Sequence, residues 1–255
     1  MNSDSIAVQV ENISKSFDVA SGRVEVLKNI SFNVNSGEFL IILGPSGCGK
    51  STLLHTILGL EQPTSGKILI HQENLYNDKT GRSYTNLRKR HIGMVYQQPY
   101  WIKSLNVVEN TALPLALLGI SEADSIKKAY EILKKFNMQD WAQYHPSELS
   151  SGQQQKVSLS RAIINDPDLI IADEPTGNLD FESGKELIEI LNKINKEEKK
   201  TIIMVTHDLE YLDYADRCIK LLNGEIQKIF LPKENQKEIK EIKMKKDLYE
   251  KISKE

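Results

Sequence analysis

The amino-acid sequence predicts an α/β fold in which helices cover both faces of a mainly parallel sheet. Short apolar runs alternate with segments of helical periodicity, which is the pattern of a layered α/β domain. Several runs, such as 39–43 and 169–172, are apolar at every position, as expected of strands that are buried on both faces. With 255 residues, 40% of them hydrophobic and 27% charged, the chain has the size and composition of one large globular domain or a core with a lobe.

The N-terminal part of the chain is rich in β-type segments. The runs IAVQV, VEVL and ISFNV precede the buried run FLIIL of 39–43, and GKILI of 66–70 comes later. Between the last two, KSTLLHTILGL has helical character and is predicted to end near Gly59, because glycine readily adopts the left-handed conformation that ends a helix. These segments predict several strands, one helix and a further strand.

From about 98 to 149 the sequence has no β-type run. VVENTALPLALLG and SEADSIKKAYEILKKFNM have helical periodicity, so this stretch is predicted to form a helical lobe. Beyond it, DLIIAD and TIIMV are predicted strands, and FESGKELIEILNKINKE between them is a predicted helix. The apolar stripe of that helix comprises Leu187, Ile190, Leu191 and Ile194. CIKLLNGEIQKI is predicted to be a hairpin that turns at Asn223–Gly224.

The last segment, 233–255, differs in composition from the body of the chain, 1–232. It is charged, mixed in sign and carries only a thin apolar stripe, which predicts a solvated helix. Packing of this helix on a partner or on a lipid surface is the alternative.

Composition and charge narrow the class of partners. The net charge of -2 gives no general attraction to nucleic acid, and no nucleic-acid partner is expected. Cys48 and Cys218 form no CxxC pair and fit a reducing cytosol. No apolar run is long enough for a signal peptide or a membrane span. If the protein works at a membrane, another chain has to supply the span.

The segment Gly44–Ser51, GPSGCGKS, matches the phosphate-loop pattern G-x-x-x-x-G-K-S/T. It lies between a buried strand and a helix, where backbone N–H groups and the positive end of the helix can surround phosphates. Lys50 can bring a charge to the β- and γ-phosphates, and Ser51 can place a hydroxyl on Mg²⁺. Cys48 is either a small filler or a thiol whose pKa is lowered by the surrounding N–H groups.

A second group of polar residues follows two predicted strands. Asp173 and Glu174 end the run LIIADE, and His207 ends TIIMVTH. Ligands of open α/β sheets bind at the carboxyl ends of strands, so these side chains are predicted to face the phosphate loop. Asp173 is predicted to hold Mg²⁺, directly or through water, and Glu174 to polarise the attacking water. His207 is either structural or close enough to reach a γ-phosphate.

The turn LSSGQ, at 149–153, begins another predicted helix. Ser150 and Gln153 fit a capping box, in which two backbone donors are satisfied reciprocally. The N-terminus of this helix is alternatively an anion site. The turn alone does not decide between these two interpretations.

Taken together, these motifs resemble the ATP-binding subunit of an ABC transporter, over about 8–230. GPSGCGKST resembles the Walker A loop, LIIADE the Walker B strand and GNLD the D-loop that ends in Asp180. THD resembles the switch histidine loop, MVYQQ the Q-loop with Gln97, and LSSGQ the signature LSGGQ. The resemblance implies a P-loop NTPase core, an N-terminal antiparallel β subdomain and an inserted α-helical subdomain.

The resemblance also implies the residues of the site. Glu174, His207 and Lys50 are expected to be catalytic, and Ser51, Gln97 and Asp173 to hold Mg²⁺. Phe17 is expected to stack on adenine, the alternative being a strand-core aromatic. For Gln97 the alternative is a surface amide. The residues expected to contact ATP are Phe17, Gly44, Pro45, Ser46, Gly47, Cys48, Gly49, Lys50, Ser51, Thr52, Gln97, Ser150, Ser151, Gly152, Gln153 and Asp180.

In such a family two chains form a head-to-tail homodimer around two ATP molecules. The signature helix of each chain then points at the γ-phosphate held by the other, and a separate membrane permease is the further partner. This implies an ATPase at the cytoplasmic face of the cell membrane. EPTGNLD and ENTALPLALLG resemble the subgroup that serves lipoprotein release, macrolide or peptide efflux and cell division. The cargo expected is a lipid, a peptide or a drug.

One position departs from the family pattern, since Ser151 replaces the first glycine of LSGGQ. Its side chain is expected to crowd the phosphate, and a positive φ at this position would cost on the order of 1 kcal/mol. Two other classes of P-loop protein fit less well. A DNA-repair ABC ATPase carries a coiled-coil or zinc-bearing insertion that is lacking here, and a nucleotide kinase lacks a signature turn.

Overall fold

The computed structural model describes residues 5–20, 22–76, 82–232, 234 and 239, and their side chains except those of 82–84 and 86. The prediction of a helical tail at 233–255 falls almost entirely outside the described residues.

The described residues form two sheets. The first is antiparallel, with the order β2-β1-β4-β5, and the second is mainly parallel, with the order β10-β9-β3-β8-β7-β6. The strands are β1 (Ile6–Val19), β2 (Gly22–Asn35), β3 (Phe39–Leu43), β4 (Ser65–Ile70), β5 (Glu73–Asn74), β6 (Ile92–Tyr96), β7 (Leu169–Asp173), β8 (Thr201–Thr206), β9 (Arg217–Leu222) and β10 (Glu225–Phe230). The predicted α/β class, with an N-terminal antiparallel sheet and a mainly parallel core sheet, is confirmed.

Helices pack around the parallel sheet. They are α1 (Lys50–Ile57), α2 (Arg82–His91), α3 (Val107–Ala116), α4 (Glu122–Lys135), α5 (Ser151–Ile163) and α6 (Phe181–Glu198). Three short 3₁₀ turns occupy Gln139–Trp141, Pro146–Glu148 and Glu210–Tyr214. The stretch predicted to be a helical lobe, 98–149, holds α3, α4 and the first two of these turns. None of the helices within the described ranges has both the length and the apolar character needed to cross a membrane.

The central strand β3 shows why its sequence is apolar at every position. Phe39 and Ile41 pack on one face of the sheet, in a cluster with α3, α4, α5 and α6. Leu40 and Ile42 pack on the other face, in a cluster with α1 and the antiparallel sheet. All four side chains are inaccessible to solvent. The parallel sheet is therefore covered on both sides, and its strand ends are the places where polar groups can gather.

Local signals also match the structure at the edges of this core. Asn223 and Gly224 have φ values of 51° and 78°, which fits the two-residue turn predicted between β9 and β10. On α6, Leu187, Leu191 and Ile194 are buried and Ile190 packs partly against them. Gly59 has a φ of 68° just after α1, as expected of a helix end.

Candidate nucleotide-binding site

Four parallel strands bring the predicted site residues to one edge of the sheet. In the strand register Leu43 of β3 faces Thr206 of β8. Asp173 of β7 faces Val205 of β8 on one side and Tyr96 of β6 on the other. The chain leaves all four strands at this edge, so the phosphate loop, Glu174, His207 and Gln97 follow neighbouring strand ends. This is the position that ligands occupy in open α/β sheets.

The phosphate loop depends on glycine at two places. A Cβ on Gly44 would lie 2.4 Å from the carbonyl oxygen of Leu221 and 2.6 Å from the sulfur of Cys48. Gly49 has a φ of 104°, a conformation that other residues rarely adopt. The loop is also held from outside, because the amide of Gly224 donates to the carbonyl of Cys48 at 3.1 Å. Its curvature is therefore set by the β9–β10 hairpin as well as by its own sequence.

The loop leads into α1, whose first turn lacks a side-chain cap. Gly49 occupies the N-cap position and offers no side chain to accept a hydrogen bond, and the first turn carries no acidic residue. The N–H groups at such a helix start are free to bind an anion. Pro45, Ser46 and Gly47 are exposed along the rim of the loop, whereas Thr52 is half-buried in the first turn of α1.

Lys50 is the charged residue of this loop, and its side chain is almost fully buried, with only 7% exposed. Its ammonium donates to the carbonyl oxygens of Gly44 at 2.8 Å and Pro45 at 3.1 Å. It also lies 3.6 Å from Oε1 of Glu174. The positive charge is thus fixed inside the loop, within reach of any phosphate that the loop N–H groups bind.

Ser51 and Asp173 form an oxygen pair beside this lysine. The Ser51 hydroxyl donates to Oδ1 of Asp173 at 3.4 Å. Burial raises the pKa of Asp173, although His55, Ser51 and Lys50 act in the opposite direction. A carboxylate that is costly to ionise and lies next to a hydroxyl fits a hard divalent cation, because Mg²⁺ prefers oxygen ligands and would offset the lost solvation. These two residues fit the predicted Mg²⁺ site.

Glu174 lies between a cation and an imidazole. Its Oε2 is 2.7 Å from Nδ1 of His207, and its Oε1 faces Lys50. The backbone at Glu174 has a φ of 46°, an uncommon left-handed conformation for a residue other than glycine. Its amide is held by the carbonyl of Val205 at 3.0 Å. Strained backbone of this kind is often retained where a side chain must be aimed precisely.

The cysteine of the loop does not have the reactive character left open by the sequence. Cys48 is buried and free. Burial raises the pKa of its thiol, and this outweighs the opposing effects of the Lys50 charge and of backbone N–H groups. The alternative of a thiol with a lowered pKa is therefore wrong, and Cys48 acts as a small filler between β9 and the loop.

Phe17 and Gln97 are the predicted contacts to adenine and to Mg²⁺. Phe17 lies on a strand of the antiparallel sheet, and Gln97 directly follows a strand of the parallel sheet. Phe17 is half-buried on β1, with the ammonium of Lys15 4.7 Å from its ring centroid. Gln97 is exposed, and its amide lies so close to Gly177 that a Cβ there would approach Nε2 to 2.6 Å. Gln97 thus covers the segment that follows Glu174. Its role as a Mg²⁺ ligand stays a prediction, as does adenine stacking by Phe17.

The signature turn begins α5 with the predicted capping box. The amide of Gln153 donates to the Ser150 hydroxyl at 3.3 Å, and the amide of Ser150 donates to Oε1 of Gln153 at 2.9 Å. Ser151 is the first residue of α5 and is exposed. Its φ is not positive, so the backbone cost that was expected for a left-handed conformation does not arise. Gly152 is the constrained glycine, since a Cβ there would lie 2.9 Å from Oγ of Ser183.

Asp180, expected to contact nucleotide, caps α6. It accepts hydrogen bonds from the amide of Ser183 at 2.9 Å and from its hydroxyl at 2.7 Å. These two bonds lower the pKa of Asp180. Because Gly152 packs against the same Ser183, the starts of α5 and α6 are fixed to each other. A pair between Lys156 and Glu186 at 2.6 Å continues this contact along the two helices.

The three consecutive glutamines of α5 make three different contacts. Gln153 completes the capping box, and Gln154 accepts from the indole of Trp101 at 2.9 Å. Gln155 is buried and donates to the carbonyls of Tyr96 at 2.9 Å and Gln97 at 2.8 Å. Gln155 was not predicted as a functional residue, although its place on the apolar side of a helix was a signal. Its contacts link the signature helix to the Q-loop.

Comparisons with known proteins agree with this geometry. The family model for the ABC transporter matches residues 27–177. An uncharacterized ABC transporter ATP-binding protein of Thermotoga maritima is 39% identical over 87% of this chain and 94% of its own length. The lipoprotein-releasing system ATP-binding protein LolD of Buchnera aphidicola is 38% identical over 88% of this chain and 97% of its own.

Among solved structures, the cassette MJ0796 matches with a TM-score of 0.81 and 36% identity, over 88% of this chain and 98% of its own. That structure is described as a dimeric, post-hydrolysis state bound to ADP and Pi. The protein MJ0796 is an uncharacterized ABC transporter ATP-binding protein of Methanocaldococcus jannaschii.

Proposed function

This chain belongs to the ABC transporter family as an ATP-binding subunit, and on that premise we propose that it hydrolyses ATP to drive a separate membrane permease. The observation that carries the proposal is the placement of Glu174. Its carboxylate is held between the ammonium of Lys50 and the imidazole of His207, beside the Ser51–Asp173 pair. A general base, a phosphate-binding cation and a set of Mg²⁺ ligands thus meet at one strand edge.

Each residue has a distinct part in the proposed reaction. The loop N–H groups and Lys50 bind the β- and γ-phosphates and hold them in line with a water molecule. Glu174 orients that water and accepts a proton from it, and His207 fixes the carboxylate through its 2.7 Å contact. Ser51 and Asp173, together with Gln97, would hold Mg²⁺, which when bound neutralises charge on the phosphate oxygens. Phe17 would stack on the adenine.

The second half of each site would come from a second copy of the chain. Ser150 and Ser151, at the start of α5, are exposed, so this turn is open to a second chain. We propose that two chains pair head to tail, so that Ser150, Ser151, Gly152 and Gln153 reach the γ-phosphate bound by the partner. The structure of the relative MJ0796, which is described as dimeric, supports the pairing of two chains. ATP then favours the closed dimer, and hydrolysis releases it.

An open groove is the proposed contact with the permease. It has a volume of about 420 Å³ and lies between β6, α3 and α5. Apolar residues such as Met94, Leu113 and Leu117 line it, and Arg161 borders it. Leu117 and Tyr100 at its edge are 59% and 72% exposed. The groove adjoins the end of β6 that leads into Gln97, so a permease segment seated there could sense closure of the site.

We place the complex at the cytoplasmic face of the cell membrane, where it exports or releases a lipid, a peptide or a drug. The relationship to LolD, named for lipoprotein release, supports a lipid-linked cargo. A 40% identity to the macrolide export ATP-binding/permease protein MacB of Mannheimia succiniciproducens, of which the match covers 34%, supports a drug as the cargo instead.

Replacement of the proposed base tests the reaction. Glu174→Gln should bind ATP but hydrolyse it about 10²–10⁴-fold more slowly, because the amide cannot accept the proton. Gel filtration with ATP should then show a dimer. Glu198→Gln, an exposed glutamate paired with Lys135, is the matched control and should hydrolyse at the parent rate. Parent-level hydrolysis by Glu174→Gln would show that the base is another group.

The groove is tested separately. Glu174→Gln chain purified from membranes in detergent should carry a permease with four spanning helices, identified by mass spectrometry. A second change, Leu117→Asp, should remove it, because a charge at the edge of the groove disfavours an apolar contact. Ile229→Asp, at an exposed apolar site on β10, is the control. Equal recovery of the permease with Leu117→Asp would exclude this groove.

A further inference from the structure

Three polar side chains converge at the end of the parallel sheet opposite the nucleotide site. His91 is the last residue of α2 and precedes β6, and Asp168 precedes β7. In the register Ile92 faces Leu169, so His91 and Asp168 lie side by side at the amino ends of these strands. His71 comes from the turn between β4 and β5, in the antiparallel sheet. The cluster therefore joins the two sheets.

The distances within this cluster are those of a nearly formed metal site. Oδ2 of Asp168 is 2.8 Å from Nδ1 of His91 and 3.4 Å from Nε2 of His71. One ligand atom from each of the three residues lies within 4.8 Å of the other two. In a tetrahedral zinc site with bonds of about 2.0–2.1 Å, ligand atoms lie about 3.3 Å apart. The two measured separations, 2.8 and 3.4 Å, lie on either side of this value.

Backbone hydrogen bonds hold two of the three ligands, His71 and Asp168. His71 and Gln72 have φ values of 49° and 67° and form a tight two-residue turn, and the amide of His71 donates to the carbonyl of Ala7. The carbonyl of Asp168 accepts from the amide of Thr201 at 2.9 Å. The side chains of His71, His91 and Asp168 are 36%, 46% and 41% exposed. An ion from solvent can thus reach a preformed set of ligands.

We propose that His71, His91 and Asp168 bind a zinc ion that clips the antiparallel sheet to the parallel sheet. Two imidazole nitrogens and one carboxylate oxygen form a donor set that suits zinc, whereas Mg²⁺ and Ca²⁺ prefer oxygen ligands throughout. Water completes the coordination. Because the ion binds only the folded arrangement, it raises the stability of the contact between the sheets by mass action.

The alternative is a network of hydrogen bonds between the histidines and Asp168 that needs no ion. Under either explanation, substitution of a cluster residue lowers the stability of the fold. Only a zinc site predicts that the chain binds zinc at this cluster and that added zinc raises its stability. The test therefore uses zinc itself.

Calorimetric titration of the full chain with Zn²⁺, without nucleotide, tests the proposal. The parent chain should bind one equivalent, and His71→Gln or His91→Gln should weaken this binding at least about tenfold. His145→Gln, which removes an exposed histidine elsewhere, should bind like the parent. His207→Gln should also bind one equivalent of zinc. This control distinguishes zinc at the proposed site from zinc bound beside Glu174. No binding by the parent, or unchanged binding in both cluster variants, would overturn the proposal.

X-ray absorption of the zinc-loaded parent chain gives a test that needs no variant. Two imidazole nitrogens should coordinate the ion, and zinc should raise the unfolding temperature. A single imidazole, as expected for zinc bound at Glu174 and His207, would overturn the assignment.

Discussion

The starts of α1 and α5 are both helix N-termini that are predicted to face phosphate, yet they are built differently. The start of α1 has no side-chain cap, and its preceding residue, Gly49, has a φ of 104°. The start of α5 has a complete capping box between Ser150 and Gln153. Lys50 is buried against its own loop, whereas Ser151 is exposed.

This difference separates a binding site from a contact surface. At α1, uncapped N–H groups, a buried cation and the Glu174 carboxylate lie together in a single chain, so this half of the proposed site is complete without a partner. At α5, the amide of Gln153 bonds to the Ser150 hydroxyl and that of Gln154 to the Ser150 carbonyl. The amides of Ser151 and Gly152 are left for an outside acceptor. The turn is therefore stable on its own, and in the proposed dimer it would contact the nucleotide that the other chain binds.

The largest effect on ATP hydrolysis should come from removing the positive charge of Lys50 at the start of α1. Lys50→Ala should lower ATP hydrolysis at least about 10²-fold, because a preorganised positive group at the transferred phosphate is lost. Nucleotide binding should weaken in the same variant. Steady-state phosphate release and fluorescent-nucleotide titration measure the two effects.

Lys156→Ala is the matched control for this charge, in the other helix. Its ammonium pairs with Glu186 near the surface, where such pairs contribute little. Hydrolysis should stay within about threefold of the parent. If both lysine variants lost activity equally, the contrast between the two helix starts would be false.

Two adjacent positions of the signature turn should respond differently. In Gly152→Ala the new methyl group would lie 2.9 Å from Oγ and 3.1 Å from Cβ of Ser183. Either Ser183, which is held by its hydrogen bonds to Asp180, or the start of α5 must then shift. We expect α5 to shift and ATP hydrolysis to fall about tenfold through misplacement of its N–H groups. Ser151→Gly should leave hydrolysis equal or raise it, because Ser151 is exposed and unstrained.

Both signature variants are measured by ATP hydrolysis and by dimer formation in a Glu174→Gln background. Urea unfolding serves as the control for both, since a surface change such as Ser151→Gly usually alters stability by less than about 0.5 kcal/mol. A large loss of hydrolysis in Ser151→Gly, or none in Gly152→Ala, would reverse the assignment of the two positions.

The sequence predicted the parts of the fold that local pattern determines. Short continuous apolar runs predicted β3 and most of β7 and β8, since strands buried on both faces have that pattern. The strand β6 was not predicted as such, because IGMVY is only partly buried and leads directly into the polar Q-loop. The helix α2 was also missed, because RSYTNLRKRH carries charge where an amphipathic helix would show an apolar stripe.

The residues of the candidate site likewise fall into those that local pattern predicts and those that only the structure reveals. Lys50, Ser51, Asp173, Glu174 and His207 were placed from loop spacing and strand ends, which a sequence shows directly. The close approach of Gly177 to Gln97, that of Gly152 to Ser183, and the bonds of Gln155 to the Q-loop arise between segments far apart in the chain. The sequence contains those residues but not their distances, so only the structure reveals how α5, α6 and the Q-loop are joined.

The smallest effect concerns Asp180, whose carboxylate caps α6 next to the signature turn. The Ser183 bonds lower its pKa, so the charged form stabilises the fold. This contribution to stability is complete at a pH above the pKa of Asp in the unfolded state, about 3.9. It is lost as the pH falls through the lower pKa of Asp180 in the folded state.

Asp180→Asn keeps an acceptor for the Ser183 amide but cannot titrate. The difference in unfolding free energy between the parent and this variant should therefore stay constant from pH 7 to 5 and shift against the parent from pH 4 to 3. Urea unfolding across this range measures the difference. A pH-independent difference would mean that the carboxylate charge does not act through this cap. The charge of Asp180 would then act elsewhere, and the proposed contact between subunits, which includes the starts of α5 and α6, would be the next place to test.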